Sequence, residues 1–196
     1  MPPPHPPNPS SPPLVAQIVA HKVDIGPAKI ITATKASFTA VNPKGNVPAL
    51  VLADGTLLNE GAATLQFIAD LAPGSGLAAP AGSSARYLQI NSLNYLASEL
   101  HASYGPLFGP GSDEFKAAQK TKIATKYAYI EAQLEAGKIG AAATPDIADL
   151  YLYIIQSWSG YVGVDLSAYP KLNAFAAKVA ALPAVAKAHA DMNAAA

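Results

Sequence analysis

Val47-Pro48 and Glu60-Gly61 are the residues of this chain whose types and spacing could hold a small molecule. An X–Pro bond is the peptide bond for which the cis form is inexpensive, and Pro48 opens a short apolar run, where a missing N–H does no harm. A cis bond there would turn the Val47 backbone outward, with its N–H and C=O both available to pair with a ligand chain. Glu60-Gly61 begins a helix expected over residues 62–71. A helix N-terminus led by a small residue presents unpaired N–H groups and the positive end of the helix dipole, a ready seat for a ligand carboxylate.

Other groups capable of chemistry read differently. Asp146 and Asp149 could share acid–base work. At a helix start with this spacing they fit the N-cap and N3 positions of a capping box, with Asp replacing the usual Ser/Thr and Glu/Gln. A folding role worth ~1 kcal/mol is therefore expected. His5, His21, His101 and His189 are scattered and form no metal-ligand set, so no metal is expected. The absence of Cys excludes disulfides, thiolate metal sites and a cysteine nucleophile. Thirteen basic residues balance thirteen acidic ones, and only 13% of the chain is charged. Nothing in that balance marks a nucleic-acid surface. No apolar stretch approaches the ~18 residues of a membrane span, and the N-terminus lacks the pattern of a secretory signal, so a cytoplasmic protein without a membrane partner is expected.

The elements that must position these groups follow from composition and periodicity. Residues 1–13 carry eight of the eighteen prolines and favour an extended leader with few N–H donors. Leu14, Val15, Ile18 and Val19 have helical spacing, Gly26-Pro27 stops that helix, and residues 29–34 read as a strand. Two short strands, 49–52 and 56–58, flank Asp54-Gly55 and predict a hairpin with a two-residue turn. Residues 74–82, rich in Gly, Pro, Ser and Ala, read as a linker. Everything beyond Ser83 is helical in pattern: 84–103, then 113–137 with Ser112 as cap and Gly137 as stop. Next come 146–158, apolar on nearly all sides, then 172–182 and 184–192, split by Pro183. The fold class is α/β followed by all-α, with a first domain over 1–73, the linker, and a helical domain over 83–196. Asn94 and His101, two helical turns apart, are expected on one face with Glu99 nearby.

Asn42-Pro43-Lys44-Gly45-Asn46-Val47-Pro48-Ala49-Leu50, with Asp54-Gly55 and Glu60-Gly61, resembles the glutathione-binding half of the glutathione S-transferase family, in its bacterial beta-class form. The resemblance continues through Arg86-Tyr87, Leu93-Asn94-Tyr95, Glu99-Leu100-His101, Pro106-Leu107-Phe108 and Asp146 to Leu152. It implies a thioredoxin-like first domain with the leader as a degenerate first strand, and glutathione as co-substrate. Asn46, Val47 and Pro48 would hold the cysteinyl unit, while Glu60 and Gly61 would hold the γ-glutamyl group. Gly61 stands where many relatives have Ser, at a cost of ~1 kcal/mol of binding. Asn94, Glu99 and His101 would approach the active site or the other subunit of a homodimer.

The resemblance breaks at the residue that activates the thiol. Relatives place Tyr, Ser or Cys just before the first helix, and here that position falls on or beside Pro12. Ser11 is the first candidate to replace it and Ser10 the second. The segment between Ile31 and Phe38 is short, which predicts a second helix reduced to a turn. A hydrophobic electrophile would lie between the domains, against Tyr104, Leu107, Phe108 and Trp158. The implied activity is conjugation of glutathione to such electrophiles, a detoxification chemistry. Two rivals remain: an isomerase, cyclase or lyase that keeps the pocket, and a non-catalytic binding protein of the same fold.

Overall fold

A computed structural model describes residues 16, 18–20 and 35–194 of the 196-residue chain. The leader with Ser10 and Ser11, and the strand expected over 29–34, lie outside the described residues. Of the helix expected from Leu14, residues 16 and 18–20 are helical, and Ile18 and Val19 are fully buried.

The short segment after Ile31 does not reduce to a turn. Lys35–Val41 forms a seven-residue helix, α1, ended where the Asn42 N–H donates to Phe38 O at 2.8 Å. Two strands follow, β1 (Leu50–Val51) and β2 (Leu57–Leu58), paired antiparallel with Leu50 opposite Leu58 and Val51 opposite Leu57. Their connection is one residue longer than a two-residue turn. Leu52 N–H donates to Thr56 O and Gly55 N–H to Leu52 O, and Gly55 takes φ +85°. A left-handed glycine third in a three-residue loop lets the strands keep their twist. Asp54 Oδ1 accepts from Thr56 N at 2.9 Å, which holds the exposed carboxyl below its ordinary pKa.

Helix α2 (Gly61–Asp70) buries Leu65, Ile68 and Ala69 in the same core as Ile18 and Val19. The segment after it docks onto α3 (Ser84–Tyr95), whose N-cap Ser83 accepts from Arg86 N. Gln89 donates to Leu77 O and accepts from Ala79 N, and Leu77 is fully buried. Arg86, 5% exposed, clamps the two halves: its two terminal nitrogens donate to the Asp70 oxygens at 2.9 and 2.8 Å, with Ala79 O as a third acceptor.

The helix expected to end at 103 runs on, but not as one α-helix. Leu96–His101 is a π-helical segment, and α4 (Ala102–Phe108) continues from it with Pro106 inside. Helices α5 (Asp113–Glu135) and α6 (Ile147–Ser157) follow, then the short α7 (Ser159–Val162), α8 (Pro170–Ala180) and α9 (Pro183–Ala194). Ser112 caps α5 through Phe115 N, and Gly137 sits two residues past its end at φ +63°. Helix α6 is the centre of the helical half, with nine of its eleven residues buried. Its start is the expected capping box. Asp146 Oδ1 accepts from Ala148 N and Asp149 N, and Asp149 Oδ2 accepts from Asp146 N.

Candidate functional site

The loop from Asn42 to Pro48 carries no strand of its own and is braced by side-chain amides. Asn42 is fully buried; its Nδ2 donates to Asn46 O at 2.6 Å, and its Oδ1 accepts from Lys44 N and from Asn59 Nδ2. Asn46 Nδ2 donates in turn to Asn59 O at 2.9 Å. Three asparagines therefore tie the end of α1 to the residue just before Glu60, replacing the ladder bonds a strand would have supplied. Asn46 is thus occupied in holding the loop. The bracing role of Asn42 and Asn59 was not evident in the sequence, where short amides flanking a Pro-Gly loop were the available signal.

That bracing presents the backbone beside a cis Val47–Pro48 bond. Val47 is 43% exposed, and neither its N–H nor its C=O has a hydrogen-bond partner among the described residues. Pro48 is buried beside Gly61: a Cβ on that glycine would meet Pro48 Cδ at 3.9 Å. Glu60 is the extended N-cap residue of α2, but its side chain accepts no capping hydrogen bond. Its carboxylate instead takes Lys44 Nζ at 2.6 Å. The first N–H groups of α2, at Gly61, Ala62 and Ala63, consequently have no partner among the described residues. An exposed peptide edge and an uncapped helix N-terminus lie side by side, an arrangement suited to a short acidic peptide.

The helical half contributes an aromatic cluster that lies within reach of the Glu60 charge. His101, the last residue of the π-helical segment, has its Nδ1 2.5 Å from Tyr151 OH, and its ring packs edge-on against Trp158 at 4.8 Å. Burial lowers the His101 pKa below the ordinary 6.5, so the imidazole is neutral at pH 7. Burial also raises the Tyr151 pKa, with the Glu60 charge adding to it, which ties this pair electrostatically to the N-terminus of α2. Phe108 is 51% exposed and lies edge-on to Trp158 at 6.0 Å, so Phe108 presents the apolar surface of this cluster. Trp158 and Leu107, expected against an electrophile, are instead buried in the core behind it.

Two further expectations need correction. Tyr104 lines no pocket: it is fully buried, and its hydroxyl is shared by Tyr127 OH at 2.8 Å and Ser159 Oγ at 2.5 Å. Nor do Asn94, Glu99 and His101 form one cluster. Bonds from i to i+5 wind more residues into each turn than 3.6, so seven positions are no longer two turns once Leu96–His101 is π-helical. Asn94 and Glu99 point to solvent, with Glu99 paired to Lys126 of α5 at 2.6 Å, whereas His101 turns inward to α6. Tyr151 was the residue missed, because its partner is fifty positions away. Among the described residues no group of His, Asp and Glu could hold a metal ion, and no helix is long and apolar enough to cross a membrane.

The arrangement is that of a thioredoxin-like half joined to a helical half, with the site at their junction. Residues 19–71 match the glutathione S-transferase N-terminal domain. The chain is 40% identical over 149 residues to glutathione S-transferase GstA of Escherichia coli, spanning 76% of this chain and 74% of that protein. Among solved structures it resembles a sphingomonad glutathione S-transferase complexed with glutathione, at 37% identity and TM-score 0.86, covering 94% of this chain and 96% of that one. The beta-class enzyme of Sphingomonas chungbukensis superposes with the same TM-score at 34% identity, over 94% and 96% of the two chains. The chain belongs to the glutathione S-transferase family, and within it to the bacterial beta class.

Proposed function

We propose that the protein is a cytoplasmic, homodimeric glutathione transferase that adds the glutathione thiolate to hydrophobic electrophiles or substitutes it into them, as in detoxification. The observation that carries this reading is the free Val47 backbone beside the uncapped N-terminus of α2. The Val47 N–H and C=O pair with the cysteinyl unit as one more extended strand would, which selects a peptide over other thiols. Glu60 and the Gly61 and Ala62 N–H groups take the γ-glutamyl end, its amine by charge and its carboxylate at the helix dipole. The thiol then projects toward the helical half, where Phe108, backed by the buried Trp158, offers apolar surface to an electrophile.

Thiolate formation requires a donor near sulfur to draw its pKa down from about 8.5. Ser11 and Ser10 remain the proposed donors from the leader, with His101 the donor from the helical half. Residues 74–82 are proposed as the segment that divides the two domains. Exposed Tyr87 and Leu88 on α3, with Asn94 and Glu99 further along the same stretch, support a dimer surface there. Retention on immobilised glutathione, elution by free glutathione and turnover of an aryl halide test the reading together. A folded protein that passes through the resin and leaves the halide unconverted refutes it. Sedimentation at micromolar concentration tests the dimer, and a monomer there overturns it.

A further inference from the structure

The His101–Tyr151 pair has a definite proton arrangement. Tyr151 is 4% exposed on the central helix α6, and His101 Nδ1 is the sole hydrogen-bond partner of its hydroxyl among the described residues. A neutral imidazole carries one donor and one acceptor nitrogen. Were Nδ1 protonated, it would donate to the tyrosine oxygen, and the tyrosine proton would be buried without an acceptor, which is costly. With Nδ1 bare, the tyrosine proton is satisfied and Nε2 carries the hydrogen. Nε2 itself has no partner among the described residues, and packing against Trp158 fixes the ring plane.

We propose that Tyr151 is a positioning residue that donates to His101 Nδ1 and locks the imidazole as the Nε2–H tautomer, leaving Nε2–H as a fixed donor to the sulfur of bound glutathione. The sulfur part rests on the transferase reading above; the tautomer part does not. Burial supports the arrangement from both sides, keeping His101 neutral and Tyr151 protonated. The charged group bearing on the pair is Glu60, at the start of α2; Glu99, on the same segment as His101, faces solvent and is held by Lys126. A neutral, oriented donor stabilises a thiolate without competing for its proton, so sulfur remains the nucleophile.

The test has two arms. Nitrogen-15 NMR of the histidine-labelled full-length protein near pH 8, with His101 assigned by its loss in His101→Gln, should show a bare Nδ1 and a protonated Nε2. In Tyr151→Phe, which keeps the ring, the Nδ1 signal should move. A protonated Nδ1 in the parent protein, or a signal indifferent to Tyr151→Phe, overturns the proposal. In the second arm, Tyr151→Phe should lower kcat with an aryl halide ~fivefold, with KM for glutathione nearly unchanged. In the His101→Gln background the same change should cost nothing more, since Tyr151 acts through His101. Independent, multiplying losses overturn it. If the parent protein neither binds glutathione nor turns over the halide, the transferase reading and the sulfur contact fall together, while the NMR arm still decides the tautomer.

Discussion

Asp149→Asn isolates the balance between capping and burial at the start of α6. In the folded protein Asp149 is 7% exposed, accepts from Gly140 N at 3.1 Å and Asp146 N at 3.3 Å, and titrates near 6. Burial is the main cause, the charge of Asp146 the second, and the two backbone donors offset them only in part. An unfolded chain releases this proton near 3.8. Between those values the native state holds a proton that the unfolded state has lost, so the contribution of Asp149 is full below about pH 4 and is lost as pH rises through about 6. The magnitude is about 3 kcal/mol. The amide of Asn keeps one acceptor oxygen but turns its NH2 toward the other backbone N–H, a loss of about 1–3 kcal/mol at every pH. Urea unfolding followed by Trp158, the single tryptophan, should therefore find the variant less stable than the parent at pH 4, with the gap closed or reversed at pH 7. A gap that stays constant, or widens as pH rises, would refute the reasoning, because it would mean that the ionised carboxylate is the favoured form in the fold.

Three further outcomes follow from the same geometry. Gly140→Ala should lower stability by ~2–4 kcal/mol and the melting temperature by ~5–15 °C: the backbone there has φ +65°, and a Cβ would stand 2.7 Å from Leu134 Cδ2 and 2.9 Å from Phe175 Cδ2. Asp70→Asn leaves the buried Arg86 guanidinium without its carboxylate, and chemical denaturation should show a loss of ~1–2 kcal/mol, below that of a fully buried pair because Asp70 is half in solvent. Gly61→Ser has room beside Pro48 and restores a hydroxyl at the N-terminus of α2, so titration calorimetry should find glutathione bound ~fivefold more tightly; weaker binding would remove Gly61 from the γ-glutamyl contact.

The elements that sequence reasoning placed well are those settled within a few residues. Ser112 and Asp146 accept from N–H groups two or three positions ahead, Gly137 provides a left-handed residue just past α5, and Asp54-Gly55 marks the turn of a hairpin, although the three-residue loop shifts its register by one from that of a two-residue turn. The cis bond before Pro48 and the helix that opens at Gly61 were likewise implied by residue type. What went astray involved a change of helical period or a distant partner. One helical repeat cannot disclose that Leu96–His101 is π-helical, and that segment separates His101 from Asn94 and Glu99. The length of the connection to Phe38 suggested a turn, yet two turns of helix fit.

By itself, then, the sequence determined the family, the order of the described elements, their caps and the proline and helix start that mark the peptide edge, because these depend on residue type and on hydrogen bonds closed within a few neighbouring residues. Tertiary structure decided which side chains meet there. Asn42 reaches Asn59 over seventeen positions, Arg86 reaches Asp70 over sixteen, Tyr104 reaches Ser159 over fifty-five and His101 reaches Tyr151 over fifty. A tyrosine withdrawn into the core and a tyrosine set behind a histidine look alike in a sequence. Only packing removes water from one hydroxyl and supplies its partners, and only packing leaves the other with a single imidazole nitrogen to receive its proton.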